Sequence, residues 1–375
     1  MGAVLGPLLW NIGYNKPLNI ISKNMHTTCF ADDTMIILSA GTIEELKAKF
    51  TRYMTVVENT LKTHCQIKLN HSKMEILYMR VIKFQKEIPI FQIRGVQIQA
   101  KNAIKYLGIV LDHQLSYRQH FEYLEKKSYK IIRQIHTLFP NKYGYDTKAR
   151  KIMFSGTIGS IWKYGSTIFA HKVNQSRNKC TIRRVHKACL RTICRSYRTV
   201  SYLPLTAITG ITPLEYQITN RATAYATLKG IPIETTNNIR IPETLKSKSK
   251  KEIKKFLYNK TNDLWQQEWD NTQKGQWTQK LIPNVQESPT VTTYWLTQMY
   301  TGHGQFGSYI RKIDNTTNAK CQHCGKAKDT PEHTLYHCES FKEFRPERNL
   351  LTAGKPEFNK FVTKVMRIKH DPNKY

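Results

Sequence analysis

The spacing of apolar positions changes character along this chain, from short alternating runs to long helical stripes. Near the amino end, Cys29-Phe30 and Met35-Ile36-Ile37-Leu38 flank Ala31-Asp32-Asp33. Two short apolar runs around a polar turn predict a β-hairpin, here with adjacent carboxylates at its tip. Ile43, Leu46, Phe50, Tyr53, Val57 and Leu61 then recur at helical spacing, and Thr42 with Glu45 forms a capping-box signature. They predict an amphipathic helix over 42–64. Residues 66–81 alternate toward strands, with Ile67 and Leu69 before Asn70 and Ile76 and Leu77 after Lys73. Strands and turns continue to Asp112, with Gly95 as a turn residue.

From Tyr117 the pattern is helical. Phe121, Leu124, Ile131, Ile135 and Leu138 form one face, with Lys126, Lys127, Lys130 and Arg133 beside or opposite it. Pro140 ends this helix, and Asp146 can cap a second carrying Ile152, Met153, Ile161 and Trp162. Residues 181–200 are the densest basic and apolar block. Ile182, Val185, Cys189 and Ile193 can pack inward there, leaving Arg183, Arg184, Lys187, Arg191, Arg195 and Arg198 outward. Residues 237–260, with the lysine-rich run Lys246 to Lys255, read as a solvated linker or a nuclear-localisation run. The fold class expected is α+β.

Composition changes the picture at one point. A hydrophobic fraction of 40% over 375 residues is enough for two or three folded domains. The charge is the departure: 59 Lys plus Arg face 27 Asp plus Glu, a net of +32. So large a surplus repels itself in a compact state, and a polyanion partner explains it, because Lys and Arg release the counterions condensed on phosphates. On that reading Lys126, Lys127, Lys130 and Arg133 contact a nucleic-acid backbone without reading sequence. No run approaches the roughly 20 apolar residues of a membrane span, and Met1 leads into no secretory signal, so no membrane partner is expected.

Five of the eight cysteines are scattered, which fits reduced thiols in a nucleus and cytoplasm rather than a disulfide framework. The other three cluster, as Cys321-x₂-Cys324-x₈-His333-x₄-Cys338. A paired-Cys turn followed by His and Cys suits tetrahedral Zn²⁺ in a closed structural site. His337 competes with Cys338 for the fourth position on spacing alone, and His323 lies inside the Cys pair.

Asp32 and Asp33 admit two readings. An Asp-Asp turn is commonly a solvated turn; it can also hold Mg²⁺, which prefers carboxylate oxygens and clamps the oxygens of a phosphoryl transfer. The neighbours bear on the choice. Gly2-Ala3-Val4-Leu5-Gly6-Pro7 stands upstream, Asn70-His71-Ser72-Lys73 and Tyr106-Leu107-Gly108 downstream. In this order the segments resemble the later palm motifs of reverse transcriptases. Arg195-Ser196-Tyr197-Arg198, Gly210-Ile211-Thr212-Pro213-Leu214, Gln276-Trp277-Thr278, Thr301-Gly302-His303-Gly304 and the Cys-His cluster extend the likeness. The whole chain resembles the polyprotein of non-LTR, LINE-type retrotransposons, of the arthropod clade inserting at ribosomal-DNA or telomeric repeats.

That resemblance implies an RNA-directed DNA polymerase using element RNA as template, target DNA as primer, and deoxynucleoside triphosphates. It implies that Asp32 and Asp33 bind Mg²⁺, that Lys73 acts as an acid toward pyrophosphate, and that Gly2, Gly6 and Phe30 approach nucleotide and template. Tyr106, Leu107 and Gly108 would form the primer grip, and the knuckle match favours Cys338 as the fourth Zn²⁺ ligand. The expected order is a partial palm over 1–115, a helical thumb and basic region over 116–236, and the linker over 237–260. A helical region over 261–320, a zinc knuckle over 321–341 and a tail over 342–375 follow. The first palm motif with its own Asp is not found, so the chain reads as an amino-terminally truncated fragment. The competing reading is a non-catalytic nucleic-acid-binding remnant.

Overall fold

The computed structural model describes residues 4–23, 25–79, 88–137, 146–232, 239 and 241–371. Gly2, Leu138 and Pro140 lie outside the described residues. The chain divides into two compact units, Met1–Gln119 and His120–Tyr375.

In the first unit, α1 (Gly6–Ser22) takes Pro7 in its first turn, where a missing N–H costs nothing. The hairpin β1 (His26–Phe30) and β2 (Asp33–Ile37) follows, then α2 (Ile43–Cys65). Thr42 caps α2 as expected, its Oγ1 accepting from the Glu45 N–H at 3.1 Å. The Glu45 carboxylate accepts instead from Gly41, at 3.0 Å. Phe50, Met54, Val57 and Leu61 of α2 pack with Ile21, Phe91, Ile93 and Ile98 in the core of this unit.

Two more hairpins complete it: β3 (Ile90–Ile93) with β4 (Val96–Gln99), and β5 (Ala103–Tyr106) with β6 (Ile109–Asp112). Gly95 sits at its predicted turn with φ +81°. The strands expected over 66–81 are a correction. Asn70 Oδ1 accepts from Ser72 N at 3.1 Å and closes a 3₁₀ turn over His71–Lys73. Asn competes with ladder formation by bonding its local backbone, so alternation alone misleads here; of the described residues in this stretch, Leu77 alone bridges a partner, Lys101.

The second unit is helical. Its elements include α3 (Arg118–Thr137, counted from His120), α4 (Thr147–Gly156), α5 (Ile158–Lys163), α6 (Ser176–Cys194), α7 (Tyr202–Thr209) and α8 (Leu214–Lys229). They continue with α9 (Lys250–Asp270), α10 (Tyr294–Thr301) and α11 (Pro356–His370). Asp146 caps α4 as expected, accepting from Ala149 N at 2.7 Å. Phe154, Ile158 and Trp162 are buried, whereas Ile152 is 63% exposed. Tryptophans anchor the core through their indole N–H groups: Trp162 donates to Ser128 and Trp269 to the Ile282 carbonyl, at 2.8 and 3.0 Å.

Three expectations change in this unit. The linker over 237–260 is partly helix: Ser249 and Glu252 form a reciprocal capping box at the start of α9, and Ile253 and Leu257 are buried. The tail over 342–375 contains α11, whose Phe358, Phe361, Val362, Val365 and Met366 are all buried. Arg183, expected outward, pairs with Glu215 at 2.6 Å and Glu268 at 2.5 Å. Glu215 is fully buried, so its charge requires that partner. No described helix is long and apolar enough to cross a membrane.

Candidate functional site

The Asp-Asp tip follows from strand register. Phe30 pairs with Asp33, leaving Ala31 and Asp32 as a two-residue loop in which Ala31 takes φ +54°. Asp32, Asp33 and Phe30 are all exposed. Trp10 Nε1 of α1 donates to the Ala31 carbonyl at 3.0 Å. The Tyr14 hydroxyl and the Cys29 thiol both meet Thr34 Oγ1, each at 3.0 Å. One helix thus fixes both the loop backbone and the flanking strand. Gly6 opens that helix, and a Cβ there would meet nothing within 4 Å, so packing does not require the glycine.

Leu107 and Gly108, at φ +45° and +83°, form the tight loop between β5 and β6. Two consecutive positive φ values match the twist of flanking strands, and the second is best served by glycine. The Tyr106 hydroxyl is buried without a hydrogen-bond partner among the described residues. Burial raises its pKa, and the nearby Asp33 charge raises it further. The expected primer-grip hairpin therefore lies within electrostatic reach of Asp33. Lys73 is exposed at the end of its 3₁₀ turn, with no ion pair to either aspartate among the described residues. No third ligand joins Asp32 and Asp33 in a metal cluster among the described residues. Two carboxylates alone do not fit a two-metal site.

On α3, Lys126, Lys127, Lys130 and Arg133 are all exposed, while Phe121, Leu124 and Ser128 form its buried side.

The Cys-His cluster is the opposite case. The ligand atoms of Cys321, Cys324, His333 and Cys338 lie within 4.8 Å of one another. Cys321 and Cys338 sulfurs are 3.9 Å apart, and Cys324 Sγ is 3.3 Å from His333 Nε2. Tetrahedral zinc with bonds of about 2.3 Å sets sulfur pairs about 3.8 Å apart, so the four residues fit such an ion. Cys321 N–H donates to the Ala327 carbonyl and Gly325 N–H to the Cys321 carbonyl, both at 2.8 Å, closing the first turn. A π-helical turn over His333–His337 presents the other two, with Cys338 N–H donating to the His333 carbonyl at 2.8 Å. His337 is exposed on that turn, and His323 packs on the Phe341 ring at 5.0 Å; neither belongs to the cluster. Burial and the adjacent Cys321 push the Cys338 thiol up to about 12, while backbone N–H groups of Lys326 and Ala327 hold Cys324 below its usual range.

Residues 1–111 match the reverse transcriptase (RNA-dependent DNA polymerase) family. That segment is similar to reverse transcriptases. The "Retrovirus-related Pol polyprotein from type-1 retrotransposable element R1" of Bradysia coprophila is 24% identical over 349 residues, covering 92% of this chain and 34% of its own length. The corresponding R1 2 polyprotein of Nasonia vitripennis is 22% identical over 363 residues, covering 92% of this chain and 85% of its own length. A "Probable RNA-directed DNA polymerase from transposon BS" of Drosophila melanogaster is 24% identical over 191 residues, covering 48% of this chain and 20% of its own. The chain thus spans about a third of the Bradysia relative. No solved structure matches it. The likeness to R1 polyproteins runs beyond the reverse transcriptase segment and through most of the second unit.

Some supporting residues escaped the sequence reading. Asp112, at the end of the reverse transcriptase segment, is buried and accepts from the N–H groups of Gln114, Ser116 and Tyr117 at 3.1, 3.0 and 2.7 Å. An Asp between a strand and a helix start is the local signal that could have found it. Asp329 is buried beside the Cys-His cluster, accepting from Gly307 N at 2.8 Å and pairing with Lys369 of α11 at 2.6 Å. Arg345 donates to the carbonyls of Leu335 and Cys338 at 2.9 and 2.7 Å, bracing the strand of chain that carries the last ligand. Neither Lys369 nor Arg345 belongs to a local pattern.

Proposed function

We propose that this chain supplies the later palm segment and carboxy-terminal unit of an RNA-directed DNA polymerase from a non-LTR retrotransposon. Its partners would be element RNA as template, target DNA as primer, and deoxynucleoside triphosphates. The observation that carries this reading is the helix-anchored Asp32-Asp33 hairpin inside the matched segment. Asp32 and Asp33 contribute two of the oxygen donors that Mg²⁺ would need; the reading requires another carboxylate from a longer chain or a second polypeptide. Phe30 and Gly6, with Gly2 outside the described residues, face template and nucleotide in this reading. Tyr106, Leu107 and Gly108 hold the primer end, and Lys73 protonates departing pyrophosphate.

Lys126, Lys127, Lys130 and Arg133 contact the nucleic-acid backbone as part of a thumb. Cys321, Cys324, His333 and Cys338 hold a structural Zn²⁺, whose role is to cross-link two turns too short to fold alone. A nuclear and cytoplasmic location belongs to the same proposal. The missing third ligand favours a second reading, a nucleic-acid-binding protein without catalysis.

Primer extension on an RNA template separates the two. Residues 1–375 alone should extend poorly, a longer chain carrying the upstream palm should extend, and Asp32→Ala in that longer chain should abolish synthesis. Salt-dependent RNA binding with no extension by either chain would leave the non-catalytic reading standing.

A further inference from the structure

The second unit contains a cleft of about 260 Å³ between α6, the start of α7 and the turn after α9. Arg183 and Lys187 line it from α6, Ser201 and Tyr202 from the start of α7, and Thr272 and Lys274 from the turn. Two elements distant in sequence, α6 and the turn after α9, therefore bring cationic side chains to one concavity.

Arg183 is committed to neighbouring carboxylates, whereas Lys187 and Lys274 form no ion pair among the described residues. Glu215 and Glu268, the carboxylates beside Arg183, are both already paired with it. Arg183 also lies over the Tyr202 ring, 5.1 Å from its centroid, which fixes the guanidinium against the cleft wall. Burial lowers the pKa of Lys187, and the nearby cations Arg191 and Lys274 lower it further. Lys187 and Lys274 repel each other unless an anion sits between them.

The geometry of the walls adds donors. The side chain of Ser201, which precedes the first turn of α7, makes no capping hydrogen bond. The turn with Lys274 is held against α7 by Gly275, at φ +83°, where a Cβ would stand 2.2 Å from Pro204 Cγ. A side chain at 275 would force this close contact to shift.

We propose that this cleft binds a phosphate group of a nucleic-acid backbone, with Lys187 and Lys274 as the principal charges and Ser201 and Thr272 as hydroxyl donors. The assignment rests on the reading that nucleic acid is this chain's partner. It places a second phosphate contact in the helical unit, lined by no residue of α3. Free inorganic phosphate shares the same chemistry, so the test distinguishes the two sources.

The experiment uses the full chain and short single-stranded RNA and DNA, with binding followed by fluorescence anisotropy across a salt series. Lys187→Gln/Lys274→Gln should reduce the log–log salt slope by about 0.7 for the one lost phosphate contact. Affinity at physiological salt should fall by about tenfold for RNA and DNA alike. Lys187→Arg/Lys274→Arg should keep both slope and affinity, and an unchanged melting temperature of the Gln variant excludes misfolding. Steep salt dependence in the wild type with an identical slope in the Gln variant would overturn this site while leaving the partner intact. A flat slope in the wild type itself would overturn the nucleic-acid reading and the site with it. If inorganic phosphate at constant ionic strength stabilises the wild type but not the Gln variant, while the nucleic-acid slopes stay equal, the cleft takes the free anion and the backbone assignment fails.

Discussion

The carboxylate hairpin and the Cys-His cluster are both short motifs of chemically suitable side chains, yet their states differ. Asp32 and Asp33 are exposed at a hairpin tip and lack a third ligand among the described residues. Cys321 and Cys338 are buried, and with Cys324 and His333 they form a closed set within one unit. A hairpin can be positioned locally by one helix, because its own ladder satisfies its backbone. A complete metal site needs every ligand brought from its own segment to one point, and among the described residues the Cys-His cluster alone assembles a set that could hold one. A catalytic motif is thus legible from neighbouring residues long before the site it belongs to is complete.

The largest effect that would sharpen this contrast is loss of the fourth ligand. Cys338→Ser should abolish binding of one zinc per chain and lower the melting temperature of the second unit by about 10 °C or more, since structural zinc contributes folding energy directly. His337→Ala should keep the metal. Metal analysis of the two purified proteins decides between them; the reverse pattern would assign the site to His337.

The next effect tests whether the cluster is an independent appendage or part of the unit's core. Lys369→Met removes the partner of buried Asp329, whose other contacts reach Gly307 and Thr334. Breaking a buried pair from one side costs about 3–5 kcal/mol. Denaturant unfolding of the metal-loaded chain should show that loss in the transition of the second unit. A change below about 1 kcal/mol would mean the cluster and α11 are uncoupled.

The smallest effect lies in the first unit. Asp112→Ala strips the acceptor from three backbone N–H groups and should cost about 2 kcal/mol, because buried donors lose their partners. The loop conformation there depends on it, with Leu115 and Tyr117 both at positive φ. Urea denaturation of the variant, with zinc content unchanged, measures this. Equal stability would show that water replaces the carboxylate and that the loop builds itself.

Much of the first unit was readable along the chain. The hairpin around Asp32, the helix capped at Thr42 and the turn at Gly95 all appear where local pattern put them, since each is set by residues within a few positions. The stretch around Asn70 did not follow its alternation, because an Asn side chain offered the backbone a closer partner than a neighbouring strand. In the second unit, Lys250 to Lys255 concealed the start of a helix. Its lysines suggested solvent, while Ile253 and Leu257 at helical spacing faced the core.

By itself the sequence determined the hairpin and its carboxylates, the spacing of the Cys-His cluster, and the cationic balance of +32. Each is a property of neighbouring residues or of the whole sum. Spacing alone left His337 and Cys338 as alternatives, and the tertiary structure brings Cys338 into the cluster, since adjacent positions on one turn point to different sides. It alone decided that Arg183 faces Glu215 and Glu268, and that Lys369 reaches Asp329 across 40 positions. Burying a carboxylate demands a cation at contact distance, and which cation arrives there is fixed by packing of distant helices rather than by anything written beside it in the chain.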